Sequence, residues 1–121
     1  MAEEKTIFAK IIDDELPSEK IHEDEHCIVI RDINPQAATH VLIIPKTTDI
    51  PRLADATNQH QSLLGHLLLV AGRIARQLGV EEAFRLVINN GADAGQTVFH
   101  LHLHILASQT FAETSLGQEF S

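Results

Sequence analysis

The sequence predicts an α+β domain: five antiparallel strands with one short and one long helix. Two observations carry this reading. Runs of alternating apolar residues fall early and late in the chain, with one long stretch of helical period between them. The links between runs are mostly of hairpin length, so neighbouring strands pair antiparallel rather than through helical crossovers. With strands at both ends and the long helix in the middle, the helices are expected on one face of the sheet.

Taken in order, Thr6 caps a short helix whose apolar face is Phe8, Ile11 and Ile12, and Pro17 is expected to stop it. Lys20-Ile21-His22 and Cys27 to Arg31 read as two strands of a hairpin across Glu23-Asp24-Glu25. Asn34-Pro35 marks a turn, and His40 to Ile44 a third strand ended by Pro45. From Thr57 to Leu78, leucines, alanines and Ile74 recur at spacings of three and four, one face of a long helix closed by Gly79. Ala83 to Asn89 and Val98 to Leu106 complete the strands, and 108–121 has no clear period and reads as a tail.

The 121 residues suffice for one core and not for two, so 1–121 is read as a single domain. Nine basic against 17 acidic residues give a net charge of −8, which argues against nucleic acid as a partner, since phosphate binding needs clustered Lys and Arg. Most of that charge precedes residue 33, where ten acids face four bases; a solvated surface is the expectation there. The acidic N-terminus does not resemble a signal peptide, and no apolar run approaches the roughly 18 to 20 residues that span a bilayer. A cytoplasmic protein without a membrane contact is expected.

Histidine stands out, at eight residues. In Phe99 to Leu106 alternation puts His100, His102 and His104 on one face of a strand, and Leu101, Leu103 and Ile105 on the other. Packing does not explain three imidazoles on one side. A metal is not expected: at ~3.3 Å per residue the outer two side chains start roughly 13 Å apart, and further ligands would have to come from elsewhere, with Cys27 the sole thiol. Nucleophilic catalysis at phosphorus suits imidazole better, because at a pKa of about 6.5 it offers a lone pair at neutral pH without a separate base. The preceding segment, Asn89 to Thr97, is long for a hairpin and contains Gly95, Gln96 and Thr97, which suits it to cradle an anion.

These residues resemble the histidine-triad nucleotide-binding family. His100-Leu101-His102-Leu103-His104-Ile105-Leu106 fits its pattern of three histidines interleaved with apolar residues. Thr6 to Ile12, Glu15-Leu16-Pro17, Asp32 to Ala37, Thr39 to Lys46 and Gly95 to Val98 resemble its Hint branch, and the likeness runs over about residues 6–107. The resemblance implies a HIT-like fold whose sheet continues across a homodimer, with the long helix in the contact. It implies hydrolysis of adenosine 5′-phosphoramidates and acyl-adenylates to AMP, with no cofactor. His102 would be the nucleophile and carry the nucleotidyl group, His104 would contact phosphate and support proton transfer, His100 would orient its neighbours, and His40 would sit behind His102. Ile7, Phe8, Ile11, Ile30 and Ile33 would wall the purine, Asp32 would hold the ribose hydroxyls, Asn89 would face the ribose-phosphate region, and Gly95, Gln96 and Thr97 would hold the phosphate or leaving group. Two other readings stay open: hydrolysis of dinucleoside polyphosphates, and a nucleotide-binding adaptor with little catalysis. After the triad the chain runs Ala107-Ser108-Gln109-Thr110 where relatives commonly have glycines and an arginine, so the leaving group is the least determined feature.

Overall fold

A computed structural model describes residues 4–114; the end of the expected tail, 115–121, lies outside the described residues. The chain forms helix α1 (Ile7–Ile12), strands β1 (Lys20–Glu23), β2 (Cys27–Arg31) and β3 (Thr39–Pro45), helix α2 (Gln61–Gln77), then β4 (Phe84–Val87) and β5 (Leu103–Ala107). The five strands make one antiparallel sheet in the order β1-β2-β3-β5-β4.

Period decides which residue faces which side. Cys27 and Val29 of β2, Val41 and Ile43 of β3, and Leu103 and Ile105 of β5 join Leu67, Val70, Ala71 and Ile74 of α2 in one buried cluster. The intervening residues Ile28, Ile30, Leu42 and Ile44 pack with Phe8 and Ile11 of α1 in a second cluster. The expectation from the strand order, helices on one face of the sheet, is therefore corrected: α2 covers one side and α1 part of the other. A sheet apolar on both sides needs cover on both, and the first helix supplies it.

Caps set the helix ends. The Thr6 hydroxyl accepts the Ala9 amide at 3.1 Å. Pro17 is not what stops α1: the chain leaves the helix at Asp13, and Asp14 takes a positive φ of 60°. At the far end of α2, Gly79 has φ 74°, its N–H reaches the Arg76 carbonyl at 3.1 Å, and Val80 N–H reaches that of Ala75 at 2.8 Å. This paired closure satisfies carbonyls that the last turn leaves open.

The last strand is shorter than its alternation suggests. The β3 to β5 ladder runs from Thr39↔Ala107 to Ile43↔Leu103 and stops. Pro45 lies just beyond and has no N–H to donate. Leu101 instead bonds to the segment after β3, its N–H donating to the Ile50 carbonyl at 2.8 Å. Among the described residues no helix is long and apolar enough to cross a membrane.

Candidate active site

His104 lies on β5 between Leu42 of β3 and Val87 of β4, on the face that α1 partly covers. His102 and His100 precede the strand, yet the alternation persists. The His102 ring stands edge-on to Phe8 at 4.8 Å and to His104 at 5.0 Å, while Leu101 and Leu103 point into the cluster under α2. All three imidazoles are buried.

Hydrogen-bond partners assign the protons. His102 Nδ1 is 2.8 Å from the His100 carbonyl, which only accepts, so Nδ1 carries the hydrogen and the lone pair is on Nε2. His100 Nε2 donates to the Pro45 carbonyl at 2.7 Å. His40 Nδ1 accepts the Gln36 amide at 2.9 Å, which leaves the proton on its Nε2, 2.9 Å from His104 Nδ1. His104 Nδ1 then accepts, and its Nε2 carries the hydrogen. The result is a directed chain from Gln36 N–H through His40 to His104. Within the triad, His102 presents a lone pair on Nε2 and His104 presents a donor.

Burial keeps the supporting rings neutral. In His40 it lowers the pKa below the ordinary imidazole value; Asp32, with Oδ2 3.4 Å from Nε2, opposes this and His102 adds to it. In His100 burial again dominates over the Pro45 carbonyl, and His102 lowers the pKa further. Asp32, His40 and His104 offer ligand atoms within 4.8 Å of one another. A cation there would break the Gln36–His40–His104 chain, so the cluster fits a proton relay better than a metal.

A cavity of about 360 Å³ opens in front of His102 and His104, a size suited to a small ligand. Of the residues expected from sequence, Ile7, Phe8, Ile11, Ile30, Asp32, Ile33, Thr97, His102 and His104 line it. Ile33 is almost fully exposed and forms its rim. His40 and His100 are not in the lining, and neither are Asn89, Gly95 and Gln96. Gln96 is buried and bonds to backbone: its Oε1 accepts Gly91 N–H at 2.8 Å, and its Nε2 donates to the carbonyls of Pro51 at 2.7 Å and Val98 at 3.0 Å. Gly95 closes a short 3-10 turn with φ 95°, and Asn89 is half-buried where the loop leaves β4.

Sequence reasoning missed Leu16, Pro17, Ser18, Arg31, Leu42 and Val98 in the wall. Ser18 is the most informative, because its Oγ is buried with no hydrogen-bond partner among the described residues. No periodic pattern marks a wall built from the loop after α1. The amide of Gln36 was equally invisible, since any residue but proline would supply it.

Comparison with known proteins gives one family. Residues 13–111 match the HIT domain. An uncharacterized HIT-like protein of Synechocystis is 55% identical over 109 residues, 90% of this chain and 95% of that protein. Among solved structures, a HIT family hydrolase from Clostridium thermocellum superposes with a TM-score of 0.88 at 42% identity, covering 95% of this chain and 100% of that one. A histidine triad nucleotide-binding protein from Candida albicans gives 0.75 at 31% identity, over 90% and 85% of the two chains.

Proposed function

We propose, from the premise that this chain belongs to the HIT-domain family, that it is a hydrolase of adenosine 5′-phosphoramidates and acyl-adenylates, releasing AMP. One observation carries the reading most: the His100 carbonyl fixes the His102 proton on Nδ1, so the lone pair is on Nε2 of a residue that lines the cavity. In the first step Nε2 attacks phosphorus, an N–P bond forms, and the bond from phosphorus to the amine or acyl oxygen breaks. In this reading the His104 Nε2–H bonds the phosphoryl oxygens or hands a proton to the leaving group. In the second step water adds to phosphorus, the His102–P bond breaks, and AMP leaves with the oxygen of water.

The rest of the ligand follows the walls. The apolar side chains of α1 and of the end of β2 suit the flat faces of a purine, and Asp32 can accept from two ribose hydroxyls. Thr97 brings a hydroxyl to the cavity, while Gln96 holds the turn that carries Gly95 and Thr97, and Asn89 begins it. The reading includes one domain over the chain, a cytoplasmic setting and a homodimer.

His102→Ala is expected to abolish turnover of an AMP-amine substrate while the folded spectrum is kept, and an acid-labile nucleotidyl adduct should be trapped on the native protein. Substantial residual turnover would overturn the assignment. Run beside it, a dinucleoside polyphosphate tests the competing hydrolase reading, and AMP binding without turnover of either substrate would mark an adaptor.

A further inference from the structure

We propose that Ser18 is a specificity residue: its hydroxyl bonds the edge of the base that lies away from the sugar, and so selects a ring that carries polar atoms there. This role rests on the hydrolase reading for the direction of the ligand, with phosphorus at His102 and the ribose at Asp32.

Strand register puts Ser18 at the wall farthest from the histidines. Lys20 pairs with Ile30, Ile30 with Leu42, and Leu42 with His104, so one row crosses β1, β2, β3 and β5. The Arg31 N–H donates to the Glu19 carbonyl at 3.1 Å, which carries the β1–β2 pairing back beyond Lys20. Residues two apart share a face, so Ser18 lies on the side of the sheet that Lys20, Ile30, Leu42 and His104 share. Three strand spacings separate the line of β1 from His104, roughly 14 Å in all. Ser18, Ile30, Leu42 and His104 all line the cavity. A ligand held by its phosphate at the histidine end therefore directs its base along this row toward Ser18.

The hydroxyl is poised for such a partner. Ser18 is half-buried, and its Oγ is covered without a hydrogen bond to any described residue. A hydroxyl in that state costs free energy, which a bond to the ligand recovers. No bond fixes the side chain, so a turn between staggered χ1 positions brings Oγ to the base. Serine both donates and accepts, and can meet a ring nitrogen or an amino group. The charged groups nearby are engaged with one another: Arg31 with Glu19 at 2.7 Å, Lys20 with Asp14 at 3.0 Å, and Lys5 with Glu15. They leave the reading of the base edge to a neutral group.

The test titrates two nucleotides calorimetrically into the full chain and into Ser18→Ala: AMP, and benzimidazole riboside 5′-monophosphate. The second keeps the phosphate, the ribose and the fused-ring shape, but lacks the amino group and both nitrogens of the six-membered ring. The wild type should prefer AMP by about five- to tenfold, and Ser18→Ala should bind the two alike through weaker binding of AMP. A merely structural serine would weaken both ligands equally and leave the preference in place. The urea midpoint of Ser18→Ala should not fall, because the hydroxyl bonds nothing in the fold. The proposal is overturned if the wild type binds both nucleotides alike, if Ser18→Ala keeps the preference, or if its urea midpoint drops. Turnover of an AMP-amine substrate by the wild type, measured beside these titrations, separates the two readings. Turnover with an unaltered preference in Ser18→Ala removes the role of Ser18 alone, whereas a lost preference without wild-type turnover removes the hydrolase and keeps Ser18 as the reader of the base. A wild type that binds no AMP overturns both.

Discussion

His102 and His104 are the same residue type in opposite tautomers, and backbone groups assign them. A carbonyl two residues earlier puts the His102 proton on Nδ1, and an amide four residues before His40 sets the tautomer of His104 at one remove. In the proposed mechanism His40 acts as a positioning residue. His40→Ala should lower kcat about 10- to 100-fold with little change in KM, because the substrate walls are intact while His104 loses the partner that orients it; steady-state kinetics with an AMP-amine substrate reads both constants. The same rings couple stability to pH. In the unfolded chain an imidazole titrates near about 6.5, whereas burial holds His40 and His100 lower in the fold. Between those values the unfolded state binds more protons, so stability rises with pH. Their contribution is complete above the unfolded value and is lost as pH falls through the folded values. Urea midpoints should therefore drop between about pH 7 and pH 5, and His100→Gln should show a shallower drop. Side-chain identity made the triad legible in the sequence. The Gln36 amide and the buried Ser18 hydroxyl were not, because a backbone donor has no side-chain signature and a loop wall has no period.

At the scale of elements, sequence pattern located every strand and both helices, and it erred where backbone bonding overrides side-chain alternation. Val98 to His102 alternates as well as Leu103 to Leu106 does, yet it leaves the ladder because Pro45 lacks the N–H that would continue it. The two helices cover opposite faces because residues one apart on β2 and β3 are apolar on both sides: Ile28 and Ile30 against α1, Cys27 and Val29 against α2. Continuous apolar runs of that kind were the available signal for a sheet buried twice. Gly79 was placed correctly, and its role is conformational. Nothing lies within 4 Å of where a Cβ would stand, but φ is 74°. Gly79→Ala should then cost about 1 kcal/mol through backbone strain alone, read as a lower urea midpoint with unchanged m-value and unchanged turnover.

For the whole molecule, strand order determines where a second copy could add. β1 and β4 are the two edges. The β1 edge is irregular, with a register shift between Lys20 and His22, and it lies in the acid-rich part of the chain, where Glu23, Asp24 and Glu25 follow. Such features discourage edge pairing. β4 is flanked only by β5, keeps an unbroken register from Phe84 to Val87, and carries a partly exposed Phe84. On α2, Leu68 and Leu69 are 55% and 63% exposed. An open edge and an uncovered apolar stretch of helix on one chain are what a homodimer continuing the sheet through β4 would cover, and it would join the copies at the end remote from the early acidic hairpin. Sedimentation should therefore report twice the chain mass. Replacing Leu68 and Leu69 together by Glu should give a folded monomer, because both side chains already face solvent within one chain and their loss leaves the core under α2 intact. A wild-type monomer, or a double variant that sediments as a dimer, would rule this contact out.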